Sequence, residues 1–326
     1  CSMTLVSRLS TLLIVLLLAG CSQEKVQVIE EKVQVIEGPI YGTTYSVQFT
    51  KDVDKEKIKE LVETELNRID MVFSTYKENS LISIINNNSM CVEYALKLMT
   101  DQMDPWWLKQ EFSVWNRSCT SDEFDYLFYL SHHIKENSND AFNPVALSEN
   151  VDFYCPQSVC LDFSAVGKGY AVDKISELLV KLGITDYFVE IGGEISINGT
   201  KFGSSWTWGI NNPFDFTSEA YRAFKAPEGG ISIATSGEYR NPGHIWGDGR
   251  KDVASVTVIA NNTTEADAWA TAMYVLGADQ GLKAAERQGL AVLFIKEDGK
   301  TIESTMWALK TFNPEQILEE IKEQIE

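Results

Sequence analysis

Residues 264–272 read TEADAWATA, and they follow an apolar run at 253–260, VASVTVIA. A run of that length rich in Val and Ile reads as a strand, and the apolar spacing that continues to Leu276 reads as a helix. The chain therefore passes from strand to helix here, and the start of that helix carries chemistry. Asp267 and Thr271 stand at i and i+4, so they share one face and bring a carboxylate and a hydroxyl to one point. Both are hard oxygen donors, which suit magnesium better than zinc or copper. A magnesium ion held by few protein oxygens is usually completed by phosphate oxygens, so the stretch points to chemistry on a phosphate ester or anhydride. A second reading stays open. Thr264 with an acid three residues on also fits a capping box, and Thr271 can bond back to its own helix.

Working outward, the pattern mixes helices and strands. Strands are expected at 40–50, 161–163, 187–191, 194–198, 205–210, 230–235, 253–260, 291–296 and 301–309. Helices are expected at 54–74, over much of 92–135, and at 167–182, 264–276, 281–287 and 314–325. In 54–74 the apolar residues Ile58, Leu61, Val62, Leu66, Ile69 and Val72 form a helical stripe. Trp106, Trp107 and Trp115 cluster around Pro105 and read as core residues. Strand runs interspersed with helices indicate an α+β domain rather than a doubly wound sheet.

The N-terminal residues read as a leader. Arg8 precedes the apolar run Leu12–Leu18, which is too short to span a bilayer comfortably, and Leu18-Ala19-Gly20-Cys21 has the form of a bacterial lipobox. Residues 1–20 are thus expected to be a lipoprotein signal peptide, with Cys21 acylated and the chain exported and anchored to the cell envelope. Residues 24–30 (EKVQVIE) recur unchanged at 31–37. Residues 21–37 are read as a tether, although the Val/Ile alternation would also suit an edge strand. One domain is expected over 38–326.

Composition narrows the function. The 326 residues include 47 acidic and 28 basic side chains, for a formal net charge of −19, which disfavours nucleic acid as a partner. An anionic ligand would need local cations: a metal, a lysine or a helix N-terminus. Export permits disulfides among Cys91, Cys119, Cys155 and Cys160, and Cys155 and Cys160 are close enough for a small loop. With only three histidines and no finger-like spacing, a zinc enzyme is disfavoured.

Other segments supply further candidates. Residues 161–173, LDFSAVGKGYAVD, place glycines and Lys168 where a strand turns into a helix, a geometry that lets backbone and an ammonium approach an anion. Residues 191–194, IGGE, imply a tight turn. A polar, Gly-rich loop at 233–250 holds His244, and 73–80 (FSTYKENS) offers hydroxyls and Tyr76.

Taken in order, GTTY (42–45), FSTY (73–76), DAFNP (140–144), LDFSAVGKGYAVD (161–173), IGGE (191–194), IATSGEYRN (233–241), GHI (243–245) and SVTVIA…ADAWATA (255–272) resemble the bacterial FAD:protein FMN transferases, the ApbE-type flavin transferases once called thiamine biosynthesis lipoproteins. The resemblance runs from about residue 38 to 310. It implies a single α+β domain of the ApbE-like, T-fold-related type. It also implies transfer of FMN from FAD to a Thr or Ser hydroxyl of an exported or membrane-bound redox subunit, with release of AMP. By motif, the magnesium ligands would be Asp267, Thr271 and the backbone carbonyl of Ala165. Tyr41, Ser74, Thr75, Tyr76, Asn143, Lys168 and Ile245 would contact FAD, and His244 would stand near the reaction centre as a candidate base. Three places depart from the family pattern. Ser80-Leu81-Ile82-Ser83 lacks a Glu, His244-Ile245-Trp246-Gly247-Asp248 displaces an Asp-Pro pair, and the segment 145–160 is short. Two alternatives stay in view: hydrolysis of the FAD pyrophosphate at the same site, with water replacing the acceptor hydroxyl, and, from the short segment and the displaced Asp-Pro pair, a flavin-binding lipoprotein without catalysis.

Overall fold

A computed structural model describes residues 32–100, 121–147, 150–151, 154–215, 217, 220–238, 245 and 252–311. The leader, Cys21, most of the tether, the tryptophans at 106, 107 and 115, His244 and the expected helix at 314–325 lie outside these residues.

The main elements, in chain order, are β1 Gln34–Ile40, β2 Thr43–Phe49, α1 Lys55–Phe73, α2 Leu81–Asn87, α3 Ser89–Thr100, α4 Asp122–Asn137, α5 Ser164–Lys181, β3 Tyr187–Ile191, β4 Glu194–Asn198, β5 Ile231–Ser236, β6 Val253–Ala260, α6 Thr263–Gln288, β7 Ala291–Lys296, β8 Thr301–Glu303 and α7 Thr305–Thr311. Among the described residues the strands β1 to β8 form one sheet in which every neighbour is the next strand of that sheet along the chain. All seven pairings are antiparallel. Helices α1 to α5 are inserted between β2 and β3, and α6 between β6 and β7, so the fold is α+β.

The sheet is buried on both faces, which explains why its later strands read as apolar runs rather than as an alternation. In β7, Val292 and Phe294 face the helices, while Ala291, Leu293 and Ile295 join a second core on the opposite face. The first core takes Tyr45, Val47 and Phe49 from β2 and Val256 and Val258 from β6, packed against α1, α5 and α6. The stripe of α1 supplies Ile58, Val62, Leu66, Ile69 and Phe73 to it, and Asp54 caps that helix by accepting from the Lys57 N–H at 3.2 Å. The second core is closed by a small hairpin, Thr207–Ile210 paired with Arg222–Lys225, and by α7. There Trp208 stacks on Phe224 at 4.6 Å and Trp307 meets both edge-on.

Several boundaries differ from the sequence reading for identifiable reasons. The expected strand at 301–309 stops at Glu303. Ser304 accepts from the Trp307 N–H at 3.2 Å and starts α7, which delivers Trp307 to the second core. The helices expected at 264–276 and 281–287 are one run, kinked where Gly277 leaves helical geometry at φ 73°. The expected strand 40–50 is interrupted by a two-residue turn, Tyr41-Gly42, with both φ values positive. The last residues of the repeat, Gln34–Glu37, belong to β1 at the sheet edge. The short strand before α5 is Val159–Leu161, paired with Val145–Leu147, rather than 161–163. Asn86 holds it in place, donating to the Leu161 carbonyl at 2.9 Å and accepting from its N–H at 2.8 Å. Cys155 and Cys160 form a disulfide beside this pair.

Phe294 is fully buried, and its ring lies under Gly281 of α6. Phe294→Ala should lower stability by about 3–5 kcal/mol, read as a shift of the urea unfolding midpoint; a loss below about 1 kcal/mol would contradict this packing.

Candidate active site

The antiparallel meander brings one set of strand ends together: the Tyr41-Gly42 turn, the Gly192-Gly193 turn between β3 and β4, and the end of β5 at Ser236. Helix α5 starts beside these ends and crosses α6 close to its own first turns. The crossing depends on Gly169. A Cβ there would press into the Thr263 carbonyl and lie 2.8 Å from the Asp267 Cβ.

Contacts across this junction decide what Asp267 does. The first turn of α6 is capped without it. Asn262 is the N-cap and accepts from the Glu265 N–H at 2.8 Å. Asp173, reaching over from α5, accepts from the N–H groups of Thr263 at 2.9 Å and Thr264 at 2.8 Å, and from the Thr264 hydroxyl at 2.5 Å. The capping-box reading of Thr264 and Asp267 is thus overturned: the cap is Asn262, two residues before Thr264, and the orphan donors are met from elsewhere. Asp267 is 2% exposed, and its Oδ2 accepts from the Gly169 N–H at 2.9 Å. In a regular helix that N–H would go to the Ala165 carbonyl.

The other Asp267 oxygen faces Lys168, whose Nζ lies 3.6 Å from Oδ1 and 3.0 Å from Glu194 Oε1. Glu194 is 2% exposed, and its Oε2 has no hydrogen-bond partner among the described residues. Gly192 and Gly193, at φ +64° and +113°, form the turn that sets Glu194 in place; the Gly193 N–H is held by Glu190 Oε1 at 2.7 Å. A Cβ on Gly192 would come within 3.3 Å of the Lys168 Cδ, so the turn also makes room for the lysine stem. Thr271 lies one turn beyond Asp267, its Oγ1 3.4 Å from the Ser236 hydroxyl.

The electrostatics follow from burial. Desolvation pushes the Glu194 carboxyl up to about 8, against the pull of Lys168. Asp267 is also raised by burial, with Lys168 and the Gly169 N–H opposing. For Lys168, burial works against the charge, but Asp267 and Glu194 more than offset it and raise the ammonium pKa. Two buried carboxylates around one ammonium leave a local charge of about −1 when all three are ionised, a setting that attracts a cation and then an anionic ligand.

The residues expected around FAD lie at several places. The Tyr41 hydroxyl donates to the Leu66 carbonyl at 2.7 Å, so its polar end is held by α1. Burial raises the pKa of that phenol. Ser74 closes α1, and its carbonyl accepts from the Ser80 hydroxyl at 2.6 Å, which shapes the turn holding Thr75 and the exposed Tyr76. Asn143 is exposed before the Val145–Leu147 strand and accepts from the Val145 N–H at 3.0 Å. Ile245 is buried, and its N–H donates to Glu238 Oε1 at 3.1 Å. Lys168 and Asp267 meet at the helix junction, Thr271 lies one turn further along α6 beside Ser236, and Ala165 is on the first turn of α5. Glu194 and Asp173 were not singled out in the sequence. The IGGE turn was visible, but nothing local shows that its acid is buried.

Comparison with known proteins finds flavin transferases. The ApbE family model matches residues 146–294. The FAD:protein FMN transferase of Escherichia coli is 25% identical over 92% of this chain and 95% of its own length. The Haemophilus influenzae enzyme of the same name is 27% identical over 94% and 97%. Over 45% of each chain, the FAD:protein FMN transferase of Klebsiella pneumoniae is 34% identical. Among solved structures, the flavinyl transferase ApbE of Pseudomonas stutzeri superposes with a TM-score of 0.66 at 23% identity, covering 86% of this chain and 98% of that one. For the flavin transferase ApbE of Vibrio cholerae the values are 0.63, 22%, 85% and 99%. The chain resembles the ApbE-type flavin transferases over most of its length, and its fold is that of these transferases.

Two outcomes test the geometry. Gly169→Ala forces α5 and α6 apart and should cost about 1–3 kcal/mol, measured by chemical denaturation. The second concerns pH. The folded-state pKa of Glu194 lies above its ordinary 4.5, so the folded state holds that proton more tightly and stability falls as pH rises from about 4.5 to about 8. Without divalent cations, the melting temperature should decline across that window and Glu194→Gln should flatten the decline; an unchanged slope in the variant would show that Glu194 does not titrate there.

Proposed function

We propose that this chain is a FAD:protein FMN transferase that uses magnesium, moves FMN from FAD onto a Thr or Ser hydroxyl of an exported or membrane-bound redox subunit, and releases AMP. The observation that carries the reading is the cluster of partly buried Lys168 with buried Asp267 and Glu194 at the α5–α6 junction. It supplies the paired acid and lysine that a pyrophosphate site needs, in a chain matched along most of its length to enzymes of that name.

The residues present fit magnesium. Its holders would be the Asp267 carboxylate, the Thr271 hydroxyl and the Ala165 carbonyl, all hard oxygens. Supporting this, the Gly169 N–H ties Asp267 to the first turns of α5, where Ala165 lies, and a buried Glu194 oxygen lies unpartnered among the described residues. When bound, magnesium neutralises pyrophosphate charge and templates an in-line displacement.

The chain's own residues do the rest. Lys168 meets a phosphate oxygen as a point charge. The Tyr41-Gly42 turn and the Ser74–Tyr76 turn are candidates to hold the flavin portion, with Asn143 and Ile245. The acceptor hydroxyl oxygen attacks the phosphorus on the FMN side. A new P–O bond forms, the bond from that phosphorus to the bridging oxygen breaks, and AMP leaves with the bridging oxygen. The hydroxyl proton passes to a base, for which His244 is the candidate.

Export and attachment through an acylated Cys21 belong to the same proposal. The Cys155–Cys160 disulfide supports it, because such bonds persist in oxidising compartments.

The test incubates the protein with FAD, magnesium and an acceptor domain. Mass spectrometry should find FMN added to the acceptor, with AMP in solution. AMP and FMN without a labelled acceptor would indicate hydrolysis, and bound but unchanged FAD a binding protein. Asp267→Ala should reduce magnesium-dependent turnover at least 100-fold, a loss of about 2.7 kcal/mol of transition-state stabilisation; retained turnover would remove Asp267 from the site.

A further inference from the structure

We infer that Glu194 is a positioning residue that draws the Lys168 ammonium away from Asp267 and so keeps the Asp267 carboxylate available to a divalent cation. The inference rests on the magnesium reading of Asp267 and deepens it by assigning a task to an acid outside the proposed ligand set.

The argument starts from the two oxygens of Asp267. Oδ2 is occupied by the Gly169 N–H at 2.9 Å, a backbone donor fixed by the helix crossing. Oδ1 has no backbone donor and is the freer oxygen for a cation, and its neighbour is an ammonium. A lysine beside a buried carboxylate is the natural competitor of a metal, because either one neutralises it. With Asp267 as its sole partner, Lys168 would close to hydrogen-bond distance and the cation would have to displace it. The observed geometry is different. Nζ stands 3.6 Å from Asp267 Oδ1, longer than a hydrogen bond, and 3.0 Å from Glu194 Oε1. Glu194 has the stronger hold.

The location of Glu194 suits this task and no obvious structural one. It is 2% exposed on the first residue of β4, set there by the Gly192-Gly193 turn, and its Oε2 has no partner among the described residues. A buried acid that spends one oxygen on a lysine and leaves the other unmet is a costly way to stabilise a sheet end. In charge terms, Glu194 sets the site at −1 when it is ionised, and a cation entering the site favours that form by releasing its proton. Without its charge the Asp267–Lys168 pair is neutral, and a divalent cation gains no net attraction.

This arithmetic makes an unusual prediction. Binding of Mn2+ alone, without FAD, is measured on the full chain by electron paramagnetic resonance of the free ion. Glu194→Gln should bind at least tenfold more weakly than the parent. Lys168→Met should bind more tightly than the parent. The double variant Glu194→Gln/Lys168→Met restores the −1 charge and should return to within about threefold of the parent. Glu194→Asp, which keeps the charge, should also lose less than threefold. A merely structural Glu194 gives a different pattern, since removing the lysine would not repair its loss. A double variant as weak as Glu194→Gln, or a Glu194→Asp variant equally weak, overturns the inference while leaving the metal reading intact. A parent chain that binds no Mn2+ overturns both.

Discussion

The hydrogen bond from the Gly169 N–H to Asp267 Oδ2 is the contact on which the rest of the site depends. It joins two helices separated by nearly a hundred residues of chain, and it exists only because Gly169 has no Cβ to hold them apart. It also fixes which oxygen of Asp267 is spent and which is left for chemistry. Because Asn262 and Asp173 serve the start of α6, Asp267 is not needed as a cap. The two acids, Asp173 on α5 and Asp267 on α6, thus divide the labour: Asp173 secures the helix end and Asp267 faces the cluster.

The sheet is the frame for this junction. With each strand paired to its chain neighbours, the meander places the β1–β2 turn, the β3–β4 turn and the end of β5 side by side. Cores on both faces stiffen those ends, one closed by α1, α5 and α6 and the other by the Trp206, Trp208 and Trp307 cluster. A buried charge cluster needs such rigid surroundings, since water entering the junction would screen the interactions among Lys168, Asp267 and Glu194.

Much of this was legible in the chain. The strands at 187–191, 194–198, 253–260 and 291–296 were placed to the residue, because continuous apolar runs between turn signals leave little freedom. Asp267, Thr271 and Lys168 were identifiable from helical spacing and from the Gly-rich turn. What was not legible depended on contacts distant in sequence. Asp173 was one more acid in a helix until the structure set it against the start of α6. The run 301–309 looked like one strand because Trp307 is as apolar as a strand residue; the Ser304 cap and the second core turned it into a helix. Tyr41 reads as an ordinary aromatic in a strand, yet it sits in a positive-φ turn with its hydroxyl bound to α1.

The sequence by itself determined the α+β class, most elements and the family resemblance, because periodicity, turn residues and short motifs are local properties of the chain. Only the tertiary structure decided that Asp267 is not a cap, that Glu194 is buried beside Lys168, and which Asp267 oxygen is spoken for. Those facts are set by burial and by distances between segments far apart in the chain, and no local pattern encodes either.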